Sequence, residues 1–87
     1  MTDINNLKPA QIVIYSTQSC SDCKRAIAFF ERHQIPYLQV RIDEDELATQ
    51  FVSRINHGYH SVPTIIFPDG SILVEPSWEQ LRSKFSE

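Results

Sequence analysis

The sequence predicts an α/β fold in which three helices flank a four-stranded mixed sheet. Three observations indicate it. Short apolar runs typical of strands alternate with segments whose apolar residues recur at helical spacing. Turns containing proline or glycine separate these segments. The length of 87 residues suits one domain. The predicted order of elements is β-α-β-α-β-β-α.

The first strand–helix–strand unit occupies the first half of the chain. Residues 12–15 form a continuous apolar run, typical of a strand buried on both faces. The apolar residues that follow at helical spacing are Cys23, Ala26, Ile27 and Phe30. The helix should end at Ile35, because proline disfavours helix in the residue before it. Strict alternation over residues 37–42 then predicts a strand at or near the sheet edge.

The second helix has sequence signals at both ends. Asp43, with Glu46 three residues later, is the predicted N-terminal cap. Gly58 should stop the helix, because glycine is free to take the left-handed conformation.

A hairpin and a third helix complete the predicted fold. Residues 64–67 and 72–74 are strands joined by the turn Pro68-Asp69-Gly70. Ser77 and Gln80 form the capping box of the last helix. The first two strands must be parallel and the last two antiparallel, with the continuous apolar strands in the middle. This is the thioredoxin-like arrangement.

Composition and charge exclude several classes of protein. Eight basic and eleven acidic residues give a net charge of −3, whereas a nucleic-acid-binding surface needs a basic excess. The sequence has no apolar run of membrane-spanning length and begins with polar residues unlike a secretory signal. Two cysteines are too few for a disulfide-stapled secreted scaffold. We therefore expect a cytoplasmic monomer with a flexible leader over residues 1–10 and a single domain over 11–87.

The two cysteines are spaced C-x-x-C where the first strand gives way to the first helix. A disulfide needs Cα atoms roughly 4.4–6.8 Å apart, which positions i and i+3 of a helical turn satisfy. Cys20 lies at the open helix end, where unpaired N–H groups and the helix dipole favour a thiolate, so it is the predicted low-pKa nucleophile. Cys23, one turn inside on the apolar stripe, is the predicted resolving thiol. The alternative is that both cysteines are inert core residues.

Charged neighbours modify this expectation. Asp22 should raise the pKa of Cys20, and Lys24 and Arg25 should offset part of that effect. Each exposed charge contributes only about 0.3–1 kcal/mol, so the helix end should dominate.

From Ile12 to Phe85 the chain resembles the glutaredoxin family. The resemblance rests on Ile-Val-Ile-Tyr-Ser before Cys-x-x-Cys, on Ser-Val-Pro-Thr at 61–64, and on Asp69-Gly70. It implies that the peptide bond before Pro63 is cis and that this proline faces the cysteines. It also implies that the backbone of Val62 pairs with a bound thiol peptide, as an added strand would.

Three parts of the sequence depart from the glutathione-using members. Ser21 and Asp22 replace the usual Pro-Tyr between the cysteines, and Thr17 replaces a lysine. Residues 74–77 read Val-Glu-Pro-Ser where Gly-Gly and an acidic helix start are usual.

Other stretches look like the mycoredoxins, actinobacterial relatives that act on mycothiol mixed disulfides. These are residues 56–64, Asp69-Gly70-Ser71 and Pro76-Ser77, and Thr17 fits the same group. Ser19 departs from it, because mycoredoxins usually have an aromatic residue there.

The resemblance implies a thiol–disulfide oxidoreductase that reduces mixed disulfides between proteins and a low-molecular-weight thiol. Mycothiol or glutathione would be the cosubstrate, with no bound cofactor. The candidate residues are Cys20 and Cys23 for catalysis and Thr17, Val62, Pro63 and Ser77 for substrate binding. Two alternatives stay open: a dithiol electron donor recharged by the flavoprotein thioredoxin reductase, as for ribonucleotide reductase, and an iron–sulfur or zinc carrier.

The histidines supply the zinc alternative. Two of His33, His57 and His60 could complete a tetrahedral set with the two cysteines, but their spacing does not match known zinc motifs, so we expect no metal ligands. His60 is either a solvated loop residue or a residue of the active-site rim that binds a carboxylate or moves a proton. Ser77 either caps the last helix or also forms part of an anion-binding helix terminus.

Overall fold

The computed structural model describes residues 5–85 and contains the predicted elements in the predicted order. They are β1 (Val13–Ser16), α1 (Ser21–Arg32), β2 (Leu38–Arg41), a 3₁₀ turn (Ile42–Glu44), α2 (Glu46–Ile55), β3 (Thr64–Ile66), β4 (Ile72–Val74) and α3 (Trp78–Phe85). No helix within these described residues is long and apolar enough to cross a bilayer.

The sheet has the strand order β2-β1-β3-β4. β1 runs parallel to β2, with Ser16 opposite Arg41 at their carboxyl ends, and antiparallel to β3. β3 and β4 form the antiparallel hairpin. The two fully buried strands, β1 and β3, are central, and the alternating strand β2 lies at an edge. The predicted sheet is therefore confirmed.

Alternate residues of β1 divide the core between the two faces of the sheet. One cluster contains Ile12, Ile14, Ala26, Phe29, Phe30, Ile65, Phe67 and Leu81. The other contains Val13, Tyr15, Val40, Ile42, Ala48, Phe51, Val52 and Ile66. Helices α1 and α3 thus cover one face and α2 the other. This packing holds the carboxyl end of β1, from which the chain leads to Cys20, in a fixed place.

Part of the expected leader contacts the domain. Pro9 is buried, and the Tyr15 hydroxyl donates a hydrogen bond to Oδ1 of Asn5 at 3.0 Å. Residues 1–4 of that leader lie outside the described residues, so the expectation of a flexible leader stays a prediction.

Helix α1 ends earlier than the sequence predicted. Its last residue is Arg32, and Gln34 has a left-handed φ of 56°. The Ile35 amide donates to the carbonyl of Phe30 at 2.9 Å, and the Gln34 amide donates to that of Glu31 at 3.2 Å. These two bonds form a Schellman motif, so the helix ends at this motif and not at Pro36.

The predicted cap of α2 was wrong. Asp45 is the N-cap, and its side chain accepts a hydrogen bond from the Ala48 amide at 3.1 Å. Asp43 lies one turn earlier, in the 3₁₀ turn, where its carboxylate is bound by Arg41. The carboxylate of Asp43 is therefore engaged elsewhere.

The other predicted turn signals are confirmed. Gly58 has φ +97° just after α2, and Gly70 has φ +90° in the hairpin turn. The Ser77 hydroxyl accepts from the Gln80 amide at 3.1 Å, and the Gln80 side chain accepts from the Ser77 amide at 2.8 Å. This reciprocal pair is the predicted capping box.

Candidate active site

Cys20 is the N-cap residue of α1. Its Sγ accepts a hydrogen bond from the Cys23 amide at 3.0 Å, and its carbonyl accepts from the Lys24 amide at 3.2 Å. The residue is half-buried. A sulfur that accepts an N–H at the positive end of a helix is stabilised as a thiolate.

Cys23 lies one turn further into the helix and is 1% exposed. It forms a disulfide with Cys20, with the two Cα atoms 5.2 Å apart. The difference in exposure follows from helix geometry, because Cys23 shares the buried face of α1 with Ala26 and Phe30. One cysteine of the pair is therefore open to a partner and the other is protected.

The loop before β3 faces the cysteine pair. The carbonyl oxygen of Val62 lies 3.8 Å from Sγ of Cys20, and the Val62–Pro63 peptide bond is cis, as the resemblance implied. The Thr64 hydroxyl donates to the carbonyl of Ser61 at 2.7 Å and accepts from the Asn56 side chain at 3.2 Å. These bonds fix the loop on both sides of Pro63.

The charge between the cysteines is paired. Arg25 forms an ion pair with Asp22, and their side chains are 59% and 50% exposed, respectively. The predicted offset of Asp22 by a neighbouring cation therefore has a structural basis. Exposed pairs of this kind contribute little to stability, so the pairing matters mainly for the local potential at Cys20.

Thr17 lines an acidic groove beside the active-site loop. The groove has a volume of about 550 Å³. Its lining residues are Thr17, Ile42, Asp43, Glu44, Asp45, Glu46, Thr49 and His60. We call this surface the acidic groove. Four of these residues are carboxylates, and no lysine or arginine of the described chain is among them. His60 is exposed and lines this groove together with the four carboxylates, so its role at the active-site rim stays a prediction.

Asp43 connects the acidic groove to the loop that carries Cys20. Its Oδ2 accepts a hydrogen bond from the Gln18 amide at 3.3 Å, two residues before Cys20. Arg41 donates to both carboxylate oxygens of Asp43 at 2.8 Å, and this pairing lowers the pKa of Asp43 to about 2. Sequence reasoning missed this contact, although the parallel pairing of β1 and β2 brings residues 17–18 beside 42–43.

Ser77 is engaged as the cap of α3. Its segment is tied to the cysteine site through the backbone, because the Glu75 amide donates to the carbonyl of Pro63 at 2.8 Å. The structure thus groups Cys20, Cys23, Val62 and Pro63 directly, with Thr17 on the adjoining groove and Ser77 two residues beyond the backbone contact.

The glutaredoxin family profile matches residues 12–72, most of the chain. The chain belongs to the glutaredoxin family. Members of this family are thiol–disulfide oxidoreductases that use low-molecular-weight thiols, and the Cys20–Cys23 pair supplies the C-x-x-C motif of this glutaredoxin.

Relatives of this glutaredoxin occur in actinobacteria. It is 36% identical over 75 residues to a predicted glutaredoxin of Mycobacterium tuberculosis, covering 86% of this chain and 89% of the relative. It is 28% identical over 75 residues to mycoredoxin 1 of Corynebacterium glutamicum, covering 86% of this chain and 92% of the relative.

Solved structures agree with the fold. The glutaredoxin of Methanosarcina mazei superposes with a TM-score of 0.73 at 23% identity, over 88% of this chain and 79% of that one. A glutaredoxin from Archaeoglobus fulgidus gives 0.69 at 23% identity, over 85% of this chain and 84% of that one. The thioredoxin-like architecture predicted from the sequence is confirmed.

His33 and His57 lie just beyond the ends of α1 and α2. His33 packs against the Phe29 ring, with centroids 4.4 Å apart, and His57 sits in the left-handed turn after α2 with φ 58°. Among residues 5–85, no three His, Cys, Asp or Glu side chains are grouped so that they could hold a metal ion.

Proposed function

We propose that this glutaredoxin reduces mixed disulfides between proteins and a low-molecular-weight thiol, with Cys20 as nucleophile and Cys23 as resolving thiol. The observation that carries the proposal is the asymmetry of the pair. Cys20 is half-buried and its Sγ accepts a hydrogen bond from the Cys23 amide at 3.0 Å, whereas Cys23 is 1% exposed. A substrate disulfide can reach the first sulfur but not the second.

In the first step the Cys20 thiolate attacks the small-thiol sulfur of the mixed disulfide. A new S–S bond forms between Cys20 and the small thiol, the substrate S–S bond breaks, and the protein sulfur leaves as a thiolate that takes up a proton. The protein substrate is thereby reduced, and Cys20 is oxidised to an enzyme–thiol mixed disulfide.

Two routes can complete the cycle. In the monothiol route a second small thiolate attacks the sulfur of the bound thiol, which releases the Cys20 thiolate and a small-thiol disulfide. In the dithiol route the Cys23 thiolate attacks Sγ of Cys20, which releases the small thiol and forms the Cys20–Cys23 disulfide. The 5.2 Å between the two Cα atoms is compatible with the second route.

The cis-proline loop is the proposed binding edge for the substrate backbone. The Val62 carbonyl lies 3.8 Å from Sγ of Cys20, so an extended thiol peptide bonded to that sulfur runs alongside Val62 and Pro63. Thr17 and Ser77 are the proposed contacts at the two ends of this edge.

We propose a mycothiol-type cosubstrate rather than glutathione. Glutathione carries two carboxylates, whereas mycothiol is a sugar-based thiol without any. The acidic groove presents four carboxylates beside the site, and Thr17 offers a hydroxyl where glutathione-using members place a lysine. Electrostatic repulsion therefore disfavours an anionic thiol, and hydroxyl-rich thiols find hydrogen-bond partners. Since reduced thiols are kept in the cytoplasm, we propose that the protein works there.

The test of this function is the rate at which small thiols reduce the Cys20–Cys23 disulfide. The oxidised protein is mixed separately with mycothiol, glutathione, and thioredoxin reductase with NADPH. We expect mycothiol to be fastest. Reduction by the reductase alone would instead favour the dithiol electron donor, and failure of all three would contradict the proposal and favour a metal or cluster carrier, visible as colour or bound zinc on purification.

Single cysteine variants test the assigned roles. Cys20→Ser should abolish turnover of a mycothiol mixed disulfide, because the nucleophile is lost. Cys23→Ser should keep much of the activity, because the monothiol route does not need it. Turnover is measured by coupled NADPH oxidation, and equal loss in both variants would show that the dithiol route is obligatory.

A further inference from the structure

The loop that precedes Cys20 forms hydrogen bonds with residues that are distant in the sequence. β1 ends at Ser16, and three residues, Thr17 to Ser19, separate it from Cys20. In that loop the Gln18 amide donates to Oδ2 of Asp43 at 3.3 Å, and the Gln18 side chain accepts from Arg41 at 3.5 Å. Both partners come from the carboxyl end of the neighbouring strand, 23 to 25 positions away.

Asp43 is itself immobilised. Nε and Nη2 of Arg41 donate to its two carboxylate oxygens, both at 2.8 Å, which is the bidentate geometry that fixes a carboxylate in plane. Arg41 also lies 3.4 Å from Glu44, and among the described residues no hydrogen bond joins Glu44 to the loop. The carboxylate therefore faces Gln18 with a fixed orientation.

We propose that Asp43 is a positioning residue for the nucleophile, and that Arg41 acts by orienting Asp43. The proposal rests on the proposed role of Cys20. Because the sheet fixes the end of β1, the hydrogen bonds to Gln18 determine the position at which the loop joins α1. That entry decides whether Sγ of Cys20 stays 3.0 Å from the Cys23 amide. Loss of the hold would misalign the sulfur with the N–H groups that stabilise its anion.

A positioning role and a purely electrostatic role of Asp43 predict opposite changes in the pKa of Cys20. A carboxylate near the sulfur opposes the thiolate through space, so deleting its charge alone should lower the pKa of Cys20. Deleting a positioning contact should raise that pKa, because the thiolate loses its aligned donor. The sign of the change therefore distinguishes the two explanations.

The experiment compares Asp43→Ala with Glu44→Ala, each in the full chain carrying Cys23→Ser so that one thiol reacts. Both substitutions remove one negative charge from the acidic groove, but only the first removes the bond to Gln18. The readouts are the rate of Cys20 alkylation by iodoacetamide between pH 4 and pH 9, and amide hydrogen exchange at Gln18.

We expect Asp43→Ala to slow alkylation at pH 7 by about three- to tenfold and to speed exchange at Gln18. Glu44→Ala should show neither change. Asp43→Asn keeps one side-chain oxygen for the Gln18 amide but loses the second oxygen that Arg41 holds, so it should slow alkylation less than Asp43→Ala does. Equal changes from the Ala variants at 43 and 44, or unchanged exchange at Gln18 in Asp43→Ala, would overturn the proposal.

Folding and function are kept separate in this design. If Asp43→Ala does not fold, Arg41→Gln carries the test, since it frees Asp43 and should speed Gln18 exchange and slow alkylation in the same directions; the absence of both changes would overturn the proposal. Neither readout needs turnover. A parent protein inactive toward every mixed disulfide would refute the proposed function while leaving the positioning result standing.

Discussion

Thr17 is an uncharged residue in the lining of the acidic groove. It is the lining residue nearest in sequence to Cys20, and it is uncharged among four carboxylates. A cation at this position would pair with a carboxylate of the substrate or of the groove itself. In either case it would weaken the repulsion of an anionic thiol. We therefore expect the preference of the site for one small thiol over another to depend strongly on this residue.

Thr17→Lys should raise kcat/KM for a glutathione mixed disulfide by about two- to fivefold relative to a mycothiol one, the effect of one exposed charge pair. The two kcat/KM values are measured side by side by coupled NADPH oxidation. Ser83→Lys on α3 adds the same charge outside the groove and is the matched control. If both lysines shift the ratio equally, net charge and not the groove controls thiol choice.

At the scale of secondary-structure elements, the neighbouring acidic residues at the start of α2 have different structural roles. Asp45 caps the helix through the Ala48 amide at 3.1 Å, Asp43 holds the active-site loop, and Glu46 is the first helical residue. The 3₁₀ turn between β2 and α2 makes this division possible, because it sets Asp43 one turn away from the helix end. Each acid can therefore be removed with a different consequence.

Asp45→Ala should lower the free energy of unfolding by about 1 kcal/mol, within the 0.5–2 kcal/mol typical of a lost cap. Urea unfolding followed by circular dichroism measures it. Glu46→Ala removes an acid from the same first turn without removing the cap hydrogen bond, so it should cost less. A larger loss from Glu46→Ala would contradict the assignment of Asp45 as cap.

At the scale of the whole molecule, two exposed carboxylates brace separate parts of the fold. Asp43 links β2 to the active-site loop, and Asp69 in the hairpin turn accepts from Nζ of Lys84 on α3 at 2.8 Å. The hydrogen bonds from Arg41 and Lys84 hold the pKa of each carboxyl below its ordinary value of 3.8, to about 2 for Asp43. Each group binds its proton more weakly in the folded chain than in the unfolded chain.

The stability of the folded chain should therefore decrease as the pH is lowered. A depressed pKa contributes stability that is present above the ordinary value of 3.8 and lost as pH falls toward about 2. Relative to Asp43→Asn/Asp69→Asn, the parent should melt higher at pH 7, and the difference should shrink steadily between pH 4 and pH 2. Melting temperatures across that range measure it, and a constant difference would contradict the assigned shifts.

The sequence was sufficient for features that depend on local pattern. The continuous or alternating apolar pattern of each strand, the helix-end position of Cys20 and the Ser77 capping box each follow from spacing within a few residues. The contact from Asp43 to Gln18 joins residues 25 apart and depends on strand register, so local pattern does not contain it. The cap of α2 was misassigned because Asp43 has the better box partner, Glu46, but its carboxylate is already bound by Arg41.

The carbonyl of Val62 is the polar atom that faces the reactive sulfur across the site, 3.8 Å away, and it belongs to the main chain. A point mutation cannot delete a main-chain carbonyl, whereas it can exchange any side chain of the acidic groove. If the groove selects the small thiol as proposed, we expect that substitutions there can change the cosubstrate while the main-chain contact at the reaction centre is kept.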